Sequence, residues 1–583
     1  MRDFQTPGRS SVFATNGMCA TSHPLAAQEA LGILKQGGNA LDAAIAGAVL
    51  LGICEPQMTG IGGDCFALIK PAGSDEVFAW NGSGTAPAAA SAEELRAQGQ
   101  VRIGETAVES VTLPGAIDAF CQMSDTWGRI GIDAILQPAI HYAETGVPVA
   151  PRVAADWANQ VHVLNEAGKQ FYSKSGDAYK LGEVFAAPRQ AEVLRRIAKN
   201  GREGFYSGEV AADIISSLKA QGGCHTEEDM AGFRSIQTVP VSGTYKEFEL
   251  FEHPPNGQGA TAILILNILK NFDLGSMPAD SVERIHIEAE AAKLAYDARN
   301  RFIADPRVSV EERMLSQEVA NQLASLIRKD RVIRDVPALT EAVHKDTIYI
   351  TVTDRDGMAV SLIYSIFHGF GSGIASEKFG ILLQNRGCGF NLTAGHPNEY
   401  GGGKRPMHTI IPGMIREGGR VTMPFGVMGG QFQPTGHARL LTNLFDYGME
   451  LQTAIDFPRA FADQGQLKLE TGISEDVAQS LSILGTMLPA CRCHWGVHRR
   501  YTCMRAAFFR GPLTPEKTAL PWAINSAGNA EDRHRLRLGR IDPKYRDVRP
   551  ARRNSLQSGS ARTHRPHNSF ARSRPKGGRT ADL

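Results

Sequence analysis

The 583-residue chain lacks any charge bias: 62 Lys and Arg stand against 61 Asp and Glu, a formal net charge of +1. That balance gives no electrostatic reason to expect nucleic acid or an acidic membrane as partner. Its first residues, MRDFQTPGRSSVFATNGMCA, are polar and broken by Pro7 and Gly8. They hold no apolar core of a secretory signal, so export is not expected. Long hydrophobic runs are missing as well. The longest, Ala43 to Cys54, contains Gly47 and Gly52 and stops at Glu55-Pro56. It is too short to span a bilayer and reads as a buried helix. The nine cysteines are scattered and odd in number, so no disulfide framework is expected and reduced thiols in the cytoplasm are. The main body contains neither an HExxH cluster nor a G-x-S-x-G elbow. A metallohydrolase and a serine hydrolase are both disfavoured, and no metal or cofactor is expected. The glycine cluster Gly60-Ile61-Gly62-Gly63 has no Lys-Ser/Thr after it, and a strand-like run, CFALIK, follows it. It reads as a packing turn and not as a phosphate loop.

What is present is an ordinary globular composition, 42% apolar and 21% charged, with length for several domains or one large α/β unit. Residues 23–53 show Ala, Leu and Ile at helical spacing, with Gly37-Gly38 stopping a first helix and Asn39 capping a second. Residues 115–340 are mostly helical by pattern, interrupted by strand-like VPVSGTYKEFELFEHPP and the PPNGQG loop, Pro254 to Gly259. HIEAEAAKLAYDARNRF reads as an amphipathic helix with one charged face. Residues 328–346 are charged and weakly patterned, an exposed connector where a chain could be cut without loss of core. At Asp346-Thr347 the texture changes: TIYITVTD, a turn at Asp354-Arg355-Asp356-Gly357, then MAVSLIYSI, the pattern of a β-hairpin. Helix-rich text before this point and strand-rich text after it predict a layered α/β sandwich.

That break has chemical meaning. A threonine hydroxyl is a weak nucleophile, but at a chain start its own α-amine, with pKa about 7.7–8.0, can serve as base. Thr347 has the setting for this: a loose connector before it and a fixed strand after it. An oxyanion needs two N–H donors, and a glycine pair lets the backbone approach closely. Gly429-Gly430, in FGVMGGQFQPTGH, follows a strand-like segment and could present them.

From about residue 17 to residue 485 the chain resembles the γ-glutamyltranspeptidase family. The resemblance rests on ordered strings: HPLAAQEALGILKQGGNALDAAIAGAVLLGICEPQMTGIGGDCF, GTAP, PPNGQG, HIEAEAAKLAYDARNRFIADP, DTIYITVTDRDGMAVS, FGSGI, GILLQNRGCGF, KRPMHTIIP and GVMGG. It implies a four-layer αββα sandwich of the N-terminal-nucleophile hydrolases, made when a precursor cuts itself. The large subunit would be 1–346 and the small one 347–485, each the other's partner, with a dimer of the cleaved heterodimer possible. By resemblance Thr347 is nucleophile and base, Gly429 and Gly430 form the oxyanion hole, and Ser365 stands where the family has a threonine that hydrogen-bonds the nucleophile.

The departures bear on substrate. Ser83 stands where the family has an arginine for the glutamyl α-carboxylate, and Gly389 where it has an acid for the α-amine. The family's paired serines become His408-Thr409, and an asparagine near Ser365 becomes Phe367. Without both ionic anchors an amino-acid head group would be poorly held. Arg386 is expected in the pocket, lined also by His368, His408 and Thr409, where a guanidinium could take a carboxylate. This favours a small amide with an acidic acyl group and no α-amine. NGSG, PPNGQG and LLQNRG resemble the oxamate amidohydrolase branch, and the transpeptidase-type glutaryl cephalosporin acylases fit the same logic. A γ-glutamyltransferase or glutathione hydrolase is the alternative. A cleavage-dead relative, or a nucleic-acid-associated protein acting through its basic tail, is the rival outside enzymes.

Beyond Gly485 the periodicity fades into an Arg-rich tail, Arg546 to Arg579, which reads as disordered. The codons for the family's usual SDPRKDG, read one base later, give LTPEKTA, the string at Leu513 to Ala519. TMLPACRC at Thr486 to Cys493 recodes in the same relative frame to a family-like HVARVPL. A frameshift near Gly485 is therefore expected. It makes the metal-like Cys491, Cys493, His494 and His498, and the arginine run, accidental.

Overall fold

Alternation along the strands decides the architecture. The computed structural model describes residues 10–334, 347–463 and 465–489, and the backbone of 506–508. Six strands form an antiparallel sheet in the spatial order β1 (Gly17–Thr21), β9 (Ile348–Asp354), β10 (Ala359–Ser365), β2 (Asp64–Lys70), β3 (Phe78–Gly82) and β6 (Ile236–Thr238). A second antiparallel sheet runs β15 (Ala506–Phe508), β12 (Arg420–Val427), β11 (Gly413–Glu417), β8 (Phe248–Glu252) and β7 (Val241–Tyr245). Two ribbons, β4 (Val147–Pro148) with β5 (Val184–Phe185) and β13 (Ala460–Asp463) with β14 (Gln466–Leu469), stand apart from both.

Successive side chains of a strand face opposite ways. On the first sheet Ile348, Ile350, Val352, Val360, Leu362, Tyr364, Cys65, Ala67 and Ile69 join the core built with the helices Pro24–Lys35, Ala40–Cys54 and Ala116–Trp127. The alternate residues Tyr349, Ile363, Phe66, Leu68 and Ala359 face the second sheet, meeting Ile410, Met414, Val421 and Met428. The outer face of that sheet, with Leu250, Ile415, Met423 and Phe425, packs on the helices Gly259–Leu269, Val282–Phe302 and Gln433–Phe445. Three apolar layers thus separate helix, sheet, sheet and helix, a four-layer αββα sandwich.

The helix Ala40–Cys54 is buried along its whole length, as its unbroken apolar sequence requires. Asn39 and Asp42 cap it reciprocally, and Asp354 Oδ2, in the hairpin turn, accepts the Ala40 N–H at 2.9 Å. The helix Val282–Phe302 forms where its pattern placed it, but its charge is not confined to a solvent face. Arg284, Glu290 and Arg299 are buried, each met by partners from distant segments. The stretch 366–412, expected to be rich in strands, is mostly irregular, with one short helical turn at Arg386–Gly389. Residues 328–334 are largely exposed, in line with a surface connector, and 335–346 lie outside the described residues. Of the tail, the backbone of Ala506–Phe508 pairs with β12. Cys491, Cys493, His494, His498, Leu513 to Ala519 and the arginine run lie outside the described residues. Among the described residues no helix is long and apolar enough to cross a membrane.

Candidate active site

Register brings the chemistry together. In β10 Ser365 lies opposite Asp64 of β2, and Tyr364 opposite Ile348 of β9, so Thr347 is next to Ser365 in space. By the period of two, Thr347, Ser365 and Asp64 all share the intersheet side with Tyr349, Ile363 and Phe66. They form a polar row at the end of that layer, and all three are buried. Thr347 Oγ1 and Ser365 Oγ are 3.2 Å apart. Ser365 Oγ also accepts the Phe367 N–H at 2.9 Å and, at longer range, Arg386 Nη2 at 3.4 Å. A hydroxyl has one proton and two acceptor sites. The two N–H groups aimed at Ser365 Oγ favour its own proton pointing towards Thr347 Oγ1.

Arg386 is fully buried. Its Nη1 donates to Thr409 Oγ1 at 2.8 Å, and its guanidinium carbon lies 3.9 Å from the centre of the Phe367 ring. Phe367 has φ 78°, a left-handed conformation unfavourable for a bulky residue, and so offers its ring to the guanidinium and its N–H to Ser365. His368 stacks on Phe367, its Nδ1 lies 3.0 Å from Asn385 Nδ2, and Glu105 Oε2 is 3.6 Å away. Thr347, Ser365, Arg386 and Thr409 therefore form one bonded group, with His368 at its edge beside the half-exposed Glu105.

His408 bonds the third member of the polar row, Asp64. Its Nδ1 receives the Ile410 N–H at 3.4 Å, so Nε2 carries the proton and donates to Asp64 Oδ2 at 3.1 Å. Phe66 lies against its ring, and burial with the nearby Arg386 charge drives its pKa well below the usual imidazole value. Asp64 Oδ1 accepts from Gly84 N at 2.9 Å and Gln384 Nε2 at 2.6 Å. Burial pushes the Asp64 carboxyl up to about 7, opposed by Arg386 and these donors. Gly429 and Gly430 follow β12 one residue after its end, with φ 132° and 52°. Met428, just before them, packs with Tyr349 and Ile363. The Gly429 carbonyl accepts the Phe432 N–H at 3.0 Å. Among the described residues neither glycine N–H is spent on another acceptor.

The sequence reading did not single out Asp64, Gln384, Asn385, Glu105 or Gln258. A hint existed for Asp64: an acid directly after Gly62-Gly63 and directly before an all-apolar strand is out of pattern. The two replaced anchors are now explicit. Ser83 is buried and accepts Asn256 Nδ2 at 3.0 Å. A Cβ added at Gly389 would sit 2.8 Å from the Met407 carbonyl oxygen, so on this backbone the position has no room for an acid.

The sandwich is that of the N-terminal-nucleophile hydrolases, enzymes that act on amide bonds. The family model described as gamma-glutamyltranspeptidase matches residues 26–495. A glutathione hydrolase-like proenzyme of Bacillus subtilis, YwrD, is 35% identical over 77% of this chain and 85% of its own length. The oxamate amidohydrolase proenzyme of Klebsiella pneumoniae is 34% identical over 83% of this chain and 90% of its own. The crystal structure of a cephalosporin acylase from Bacillus halodurans superposes with a TM-score of 0.78 at 37% identity, covering 89% of this chain and 98% of that one. The chain belongs to the γ-glutamyltranspeptidase family.

Proposed function

We propose that the chain is a precursor that cuts itself before Thr347, giving a large subunit 1–346 and a fragment that begins at Thr347 and holds the small subunit 347–485 with the tail after it, and that it hydrolyses a small amide whose acyl group carries an acid but no α-amine. The observation that carries this reading is the bonded group in which Arg386 touches both Ser365, the partner of Thr347, and Thr409. In the cut, Thr347 Oγ attacks the Asp346 carbonyl carbon, the acyl group moves from nitrogen to oxygen, and water hydrolyses the ester. The products are an Asp346 carboxylate and a free Thr347 amine.

In turnover that amine takes the Thr347 hydroxyl proton as the oxygen attacks the substrate carbonyl. Gly429 and Gly430 N–H groups hold the oxyanion. The substrate amine leaves with the proton, and water then releases the acid from the Thr347 ester. The Arg386 guanidinium receives the acyl carboxylate. Lack of room at Gly389 for an acid argues against an α-ammonium on the substrate. Similarity to an oxamate amidohydrolase and to a cephalosporin acylase supports the same choice. A second reading, hydrolysis of γ-glutamyl amides, is favoured by similarity to the glutathione hydrolase-like relative.

Purified protein should give Thr347 as a free amino terminus. Assayed on oxamate, a glutaryl anilide and a γ-glutamyl anilide, it should turn over one of the first two at least about tenfold faster than the third, the loss of one ionic contact being worth 1.4 kcal/mol or more. Preference for the γ-glutamyl anilide would establish the second reading.

A further inference from the structure

We propose that Gln258 is a positioning residue that locks the glycine pair to the arginine side of the site. The inference rests on the assignment of Gly429 and Gly430 as oxyanion donors. Gln258 is completely buried at the start of the helix Gly259–Leu269. Its Nε2 donates to two carbonyls on different loops: Thr409 O at 2.6 Å and Gly430 O at 3.2 Å. Thr409 is the residue that bonds Arg386, and Gly430 is the second glycine of the pair. Gln258 Oε1 accepts Arg299 Nη1 at 2.8 Å, which fixes the amide so that its nitrogen faces the two carbonyls. The backbone supports the same junction, with Gln258 N donating to His408 O at 3.1 Å and His408 N to Asn256 O at 2.7 Å.

The glycine loop needs such a lock. Glycine has more backbone freedom than any other residue, and these two adopt left-handed angles. Three consecutive carbonyls there are each held by a donor: Gly429 O by Phe432 N, Gly430 O by Gln433 N and by Gln258, and Gln431 O by the Tyr296 hydroxyl. Arg299 also bonds the Gln431 side chain. In a trans peptide the N–H points opposite the preceding carbonyl. Holding Gly429 O aims the Gly430 N–H, and holding Gly430 O limits rotation of that glycine. Gln258 is the member of this set that also reaches the Thr409 loop. It therefore sets where the oxyanion donors lie relative to Arg386.

The test uses p-nitrophenyl acetate, an activated ester with no carboxylate for Arg386 to hold, and reads the acylation burst per titrated Thr347 site. Gln258→Glu keeps the shape and the Arg299 contact but replaces the donating nitrogen with oxygen. The burst rate should fall about 10- to 100-fold, less than or comparable to removal of one oxyanion donor. Leu362→Ala, a cavity on the helix-facing side of β10 outside the site, should leave the burst per folded site within about threefold of wild type. Gln258→Met, which lacks both polar atoms, serves if the Glu variant does not accumulate, with the same loss expected. A wild-type burst rate in a folded, processed Gln258 variant overturns the proposal. A burst lost equally in Leu362→Ala also overturns it, because the effect would then be general loosening of the fold. Absence of any burst in the wild type, or of a free Thr347 amine, overturns instead the nucleophile assignment beneath it.

Discussion

The two faces of the β9–β10–β2 strands are built from alternate residues of the same segments, yet they do different work. The helix-facing side is Ile348, Ile350, Val352, Val360, Leu362 and Tyr364, an apolar layer with little chemical specificity. The intersheet side carries Thr347, Thr351, Ser361, Ser365 and Asp64 among a few large apolar groups. One face supplies cohesion, and the other spends some of it to keep hydroxyls and a carboxylate dry and aligned. Both functions are coded at adjacent positions, so single substitutions should separate them.

The largest expected effect is on the polar side. Thr347→Ala removes the attacking oxygen and should lower turnover by about 10⁴-fold or more while leaving one uncut chain on a gel. Its thermal midpoint should stay close to that of wild type. Appearance of two mature bands from this variant would contradict the assignment. On the opposite face Leu362→Ala deletes buried methyl groups and should cost about 2–5 kcal/mol in denaturant unfolding. Turnover per folded site should hold, and a turnover loss as large as that of Thr347→Ala would erase the contrast between faces.

The smallest effect is a slope. Burial raises the Asp64 carboxyl to about 7, above its unfolded value near 3.9. The folded state then binds the proton more tightly, so this group's favourable contribution is complete below about pH 4 and is lost as pH rises through about 7. Asp64→Asn should flatten the decline in unfolding free energy between pH 4 and 7. An unchanged slope would show that the Asp64 proton is not taken up on folding.

Much of this arrangement is readable from local pattern. The hairpin follows from period-two alternation around Asp356-Gly357, and the buried helix from the cap at Asn39 and an apolar run that fits no surface. Thr347, Ser365 and the glycine pair were marked by ordered strings of residues. What escaped was non-local. Asp64 enters the row only through pairing of β2 with β10, about 300 residues away in the chain. Glu290 and Arg299 were read as part of one charged face because their partners lie far off: Ile333 N for Glu290, Gln258 and Gln431 for Arg299. A charged side chain advertises exposure unless its partner is known, and sequence spacing does not supply the partner.

The spatial order β1–β9–β10–β2 has a consequence for any break before Thr347. Both strands that follow the break are flanked by strands that precede it, and the Asp354 carboxylate grips the amino end of the helix Ala40–Cys54. The two fragments would be woven like interlaced fingers. Dilution alone would not part them, since separation would mean unzipping three full ladders, β1–β9, β2–β10 and β8–β11, and exposing the main apolar layer. A nicked molecule would melt as one cooperative body, and the freed amine at residue 347 would be an end anchored in the middle of a sheet.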